Sequence, residues 1–139
     1  DLVCYRADTP EGLVERPKAE WSPVIEWARD KLGARFILIE GIVYAAQPEA
    51  AIAAAAASIP KDHWRLGAVA SIMTLTGSAL IALALNAGAF DPAAAWKAAH
   101  ADEDYQMAQW GLDDMALQRR EGRFAEFMAA ATVLKFLDT

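Results

Sequence analysis

Residues 65–91 read RLGAVASIMTLTGSALIALALNAGAFD, and no charged side chain occurs between Arg65 and Asp91. A run of this length is either a helix that crosses a bilayer or a helix that other helices surround. The content of the run decides between them. Ser71, Thr74, Thr76, Ser78 and Asn86 interrupt it, alanine is abundant, and no Lys/Arg-rich flank or aromatic girdle marks its far end. The expectation is therefore a central helix covered on all sides and ended by Gly88, not a membrane span. Small residues at Gly67, Ser71, Gly77 and Ser78 would let neighbours approach closely, at some cost in helix propensity for each glycine.

Outward from this stretch the remaining elements read as short helices. Upstream, the opening from Asp1 to Ser22 carries Thr9-Pro10, Glu11-Gly12 and Pro17 and reads as loop-rich. Ser22-Pro23 predicts an N-cap and first helical position, with Val24, Ile25, Trp27, Ala28 and Leu32 as apolar positions and Gly33 as the stop. Arg35 to Ile39, the Glu40-Gly41 turn and Ile42 to Ala45 predict a β-hairpin, which is marginal unless another strand or the helices support it. Glu49 to Ser58 reads as an Ala-rich helix that Pro60 ends. Downstream, Asp91-Pro92 caps a helix running to about His100, another begins near Asp102, and Gly122 interrupts the pattern before an amphipathic helix from Phe124 to Leu137.

The chain's 139 residues amount to one domain. Hydrophobic residues at 55% against 23% charged exclude intrinsic disorder, and the high alanine content favours helix. The predicted fold class is mostly α, or α+β only through one small hairpin, as a multihelical bundle around a buried central helix. Asp1 opens the chain in place of an initiator Met and no secretory pattern follows, so it reads as a trimmed or processed piece.

Several function classes fall away. Thirteen Lys and Arg against nineteen Asp and Glu give a net charge of −6, which disfavours nucleic acid and anionic membrane surfaces as partners. A single cysteine, Cys4, excludes a disulfide scaffold or a cysteine-based zinc site. No Gly-rich phosphate loop, dinucleotide fingerprint or G-x-S-x-G motif occurs, and His63 and His100 lie far apart, each read as a capping or surface imidazole. His100, Asp102, Glu103 and Asp104 hold metal-type ligands, but successive helical positions point around the whole circumference, and carboxylates opening a helix are explained by the macrodipole. The reading has no cofactor and no metal.

The informative segment runs from Asp102 to Met115. At 3.6 residues per turn, Tyr105, Ala108, Leu112 and Met115 share one stripe, the expected core face, while Glu103, Gln106, Trp110 and Asp114 lie opposite. A large indole among carboxylates and an amide is a candidate anchor for a partner. The other reading packs Trp110 against another element with its N–H donated to a neighbour, and periodicity leaves both open.

Asp1-Leu2 with Tyr5-Arg6-Ala7 and Pro10, Trp21-Ser22-Pro23, Trp27-Ala28, Thr76-Gly77-Ser78, and Asp102-Glu103 with Gln106 and Trp110-Gly111 occur in order along the chain. This ordered set resembles the C-terminal helical part of the ATP-twelve family, assembly chaperones of the F-type ATP synthase in mitochondria and alphaproteobacteria. It departs at Pro17, where the family often has Gln, and at Ser22, where it often has Asp. The resemblance implies a non-enzymatic, monomeric chaperone that binds the unassembled alpha subunit of the catalytic head and shields its apolar interface. It places partner binding on Asp102, Glu103, Gln106, Trp110 and Asp113. It also implies an upstream β-containing domain, with the hairpin at about 35–46 as the bridge to it. The Ala-rich composition favours a bacterial source and hence the cytoplasm; a eukaryotic source would mean the mitochondrial matrix.

Two other classes compete. A small helical enzyme would use Asp102 or Glu103 as general acid or base beside Tyr105 or His100, in a closed pocket. A structural subunit would self-associate through its central helix.

Overall fold

A computed structural model describes residues 1–6, 20–40, 45–111 and 113–138. A 3-10 turn, Leu2–Cys4, leads into strand β1 (Tyr5–Arg6). Helix α1 covers residues 20–27 and continues as a π-helical turn, Ala28–Leu32. Strand β2 (Ile39–Glu40) follows, then α2 (Glu49–Ala57), α3 (His63–Thr76), α4 (Ala79–Asn86), α5 (Pro92–Ala99), α6 (Ala101–Trp110) and α7 (Asp114–Leu137).

The uncharged stretch forms two helices, not one. Gly77 takes a left-handed conformation, φ 75°, and donates its N–H to the Met73 carbonyl, which closes α3. Ser78 is extended and its Oγ accepts the Ile81 N–H at 3.0 Å, which opens α4. The buried central helix is α4, whose Leu80, Ile81, Ala82, Leu83, Ala84 and Leu85 are all buried between α3, α5 and α7. α3 is covered on one side only: Ala68, Val69, Ile72 and Thr76 are buried, while Leu66 and Met73 are exposed. With Ile52 of α2 and Phe36 they line an apolar groove of about 430 Å³.

The Asp1 carboxylate completes the start of α4. Its Oδ2 accepts the Leu80 N–H at 2.9 Å, and its Oδ1 accepts the Ser78 hydroxyl at 2.7 Å and the Val3 N–H at 3.1 Å. A carboxylate here satisfies orphan amide donors and meets the positive end of the helix dipole. Ser78→Ala removes one cap bond and leaves Asp1 short of a donor, so it should cost about 1–3 kcal/mol. Urea unfolding measures this, and an unchanged midpoint would show that Asp1 alone caps α4.

α1 is already helical at residue 20, so Ser22 is not its cap. Gly33, φ 71°, ends the π-helical turn with its N–H on the Ala28 carbonyl. Buried Trp21 donates its indole N–H to the Ala98 carbonyl at 2.6 Å and fixes α1 to α5.

Of the expected hairpin, Ile39–Glu40 is strand, and its partner is β1 in parallel, Tyr5 opposite Ile39 and Arg6 opposite Glu40. Residues 33–38 hold no regular structure, because the Gln47 amide occupies Ile37 instead: Ile37 N–H donates to Gln47 Oε1 at 2.7 Å and Gln47 Nε2 donates back to the Ile37 carbonyl at 2.8 Å. The expected turn and most of the second arm, residues 41–44, lie outside the described residues.

α7 runs unbroken through Gly122, where the sequence predicts an interruption. A mid-helix glycine costs about 1 kcal/mol relative to alanine, less than the burial of Phe127, Ala130, Ala131 and Leu134 returns. Phe127, 0% exposed, centres an aromatic cluster with Trp96 at 4.9 Å between ring centroids. Among the described residues no helix is long and apolar enough to cross a membrane, and no three His, Cys, Asp or Glu are grouped to hold a metal ion.

Candidate partner-binding face

α5 passes into α6 through His100, which is the last capping position of one helix and the first of the other. The imidazole is buried, 4.2 Å from the Trp96 ring, with Nδ1 2.9 Å from the Trp96 carbonyl. It is thus a buried group at a capping position, not a surface imidazole. Burial pushes its pKa below the ordinary 6.5, against the pull of the Trp96 carbonyl. The folded state then binds this proton more weakly than the unfolded chain does. The stability from neutral His100 is present in full above pH about 6.5 and is lost as pH falls through the folded value. His100→Gln should flatten the fall in urea midpoint between about pH 7.5 and about pH 5.5. Equal pH slopes in both proteins would assign that fall to other groups.

α6 opens on the acidic pair. Asp102 is its second residue, with a side chain outside the described set. Glu103 and Asp104 both reach Arg120 of α7: Nη1 donates to Asp104 Oδ1 at 2.6 Å, and Nη2 lies 3.0 Å from Glu103 Oε1, off the hydrogen-bonding direction. Burial opposes the Arg120 charge, and the two carboxylates outweigh it, so its pKa is raised. Glu103 also lines a concavity of about 280 Å³ with His100, Ala116, Arg119, Arg120 and Arg123. Glu103 there is paired with a cation within the chain.

Gln106 is exposed, and Trp110, at the end of α6, is 85% exposed. The sandwiched reading of Trp110 is thereby corrected within this chain. Gly111 follows at φ 101°, ψ 165°, a conformation essentially confined to glycine, and ends α6. Asp113 is exposed and caps α7, its Oδ1 accepting the Ala116 N–H at 3.1 Å. Of the five expected site residues, Gln106, Trp110 and Asp113 thus line the exposed α6–α7 corner, whereas Glu103 turns to Arg120. Of the stripe expected to face the core, Ala108 and Met115 do not, being exposed, Met115 by 69%; Leu112 and the Tyr105 side chain lie outside the described residues. Met115 therefore joins Trp110 as exposed apolar surface.

Arg120 is the residue that sequence reasoning missed. The dipeptide Arg119-Arg120 is visible, but nothing local ties Arg120 to carboxylates sixteen and seventeen positions earlier.

No protein-family model matches the chain. Solved structures do. A candidate chaperone from Agrobacterium tumefaciens superposes with a TM-score of 0.91 at 46% identity, covering 99% of this chain and 52% of that one. Atp12 from Paracoccus denitrificans superposes with a TM-score of 0.92 at 30% identity, covering 97% of this chain and 58% of that one. Over nearly its whole length the chain is similar in sequence and fold to the ATP-twelve family. It spans little more than half the length of these relatives. A variant of the Paracoccus protein matches equally, at 29% identity and a TM-score of 0.91. The acid-rich α6 and its terminal indole thus sit on a fold shared with these structures over nearly all of this chain.

Proposed function

We propose that the chain is an assembly chaperone that captures the unassembled alpha subunit of the F-type ATP synthase head and covers its apolar interface without chemistry. The observation that carries this reading is Trp110, an 85% exposed indole bordered by Gln106 and Asp113, in a chain of the ATP-twelve fold. An exposed indole covers apolar client surface, and rim carboxylates such as Asp113 and Asp114 favour a client with Lys or Arg nearby. The relatives' greater length fits the proposal of an upstream β-containing domain, with residues 35–46 leading to it. Bacterial relatives fit a cytoplasmic site of action.

The test is whether the purified chain keeps alpha subunit in solution and co-elutes with it on a sizing column. Co-elution supports the proposal. Capture only by a longer chain carrying an upstream domain would assign binding to both parts, and capture by neither would overturn it.

A further inference from the structure

We infer that Arg120 is the positioning residue of this face: it latches α6 onto α7, and the acidic pair that opens α6 serves that latch while Trp110 and Met115 meet the partner. The role assigned to the latch rests on the partner-binding reading above.

Among the described residues little else holds α6. A ten-residue helix is marginal alone, so packing or pairing must fix it. Among its described side chains only Ala101 is buried; Glu103, Asp104 and Met107 are half-buried, and Gln106, Ala108 and Trp110 are exposed. Gly111, in its glycine-only conformation, leaves the far end without a stiff continuation into α7. Among the described side chains, apolar burial therefore does little to hold this helix. What crosses to α7 is the Arg120 guanidinium, 17% exposed, between Asp104 at 2.6 Å and Glu103 at 3.0 Å.

The guanidinium is largely withdrawn from water while the Glu103 and Asp104 side chains are 42% and 40% exposed, so it is loss of the carboxylates that strands a half-buried charge. A guanidinium also spans two carboxylates as an ammonium cannot. Arg119 and Arg123, from α7, face the same concavity beside the neutral His100, so Glu103 is the negative group among arginines there. Charge reversal at Glu103 would set Lys beside Arg120 and repel α7, so Glu103→Lys would report the latch rather than a client contact.

The experiment follows hydrogen exchange of backbone amides, with client co-elution on the same proteins: wild type, Arg120→Met, Arg120→Lys and the neutral double variant Glu103→Gln with Asp104→Asn. The α6 amides should exchange about tenfold faster or more in Arg120→Met and in the neutral double variant, with α4 and α5 unchanged. Arg120→Lys should fall between, and client capture should weaken in the same order. Unchanged α6 exchange in Arg120→Met and the double variant overturns the latch. Faster exchange throughout the fold in both overturns a local latch as well. A loosened α6 with full capture overturns the positioning role and points to failure of the partner-binding reading, not of the latch.

Discussion

Replacing Phe127 with alanine should destabilise the fold by about 3–5 kcal/mol, the range for truncating a buried aromatic ring. Phe127 is 0% exposed and lies on α7, with Trp96 of α5 at 4.9 Å and Phe124 at 6.4 Å between ring centroids. The truncation removes apolar area, opens a cavity and breaks ring contacts whose tilted geometry adds to area burial. Domains of this size have total stabilities of about 5–15 kcal/mol, so the variant would lose a large share of its stability. Phe127→Leu keeps most of the volume and should lose less. Urea unfolding checks both. A loss below about 1 kcal/mol for alanine would show that α5 and α7 collapse onto the site without the ring.

Trp110→Ala should have the opposite profile. Its indole is 85% exposed, so removal should leave stability within about 0.5 kcal/mol of wild type. Capture of the alpha subunit should weaken by about thirtyfold or more, the loss that truncating an aromatic anchor brings. Trp110→Phe should keep part of the affinity, since the apolar face remains. Sizing-column titration at several chain concentrations reads the loss. Unchanged capture would move the client off the α6–α7 corner, and the exposed Leu66 and Met73 of the apolar groove would be the next residues to replace.

Local chemistry was legible in the sequence wherever one turn of chain supplies its own partners. Asp91-Pro92 opens α5, where the Asp91 side chain accepts the Ala93 N–H two residues on, and Gly33 ends the turn after α1 with its N–H on the Ala28 carbonyl five residues back, so both signals act within a few residues of chain. The exposed setting of Trp110 was legible in part, since its neighbours on the helix are polar. The core stripe expected through Tyr105, Ala108, Leu112 and Met115 does not hold at Ala108 and Met115, for a definite reason. It was drawn across Gly111, where α6 ends, and Met115 belongs to α7, which starts afresh from the Asp113 cap on its own axis.

Composition and capping residues by themselves determined a mostly helical chain with a charge-free, buried helix. Tertiary structure alone decided which glycine breaks a helix: Gly77 does, because Ser78 and Asp1 build a new helix start beside it, and Gly122 does not, because the face beyond it is packed. It alone also joined Arg120 to Asp104 across sixteen residues. Caps are bonds within a few residues of chain, whereas burial and cross-helix pairing depend on neighbours that only the folded packing brings together.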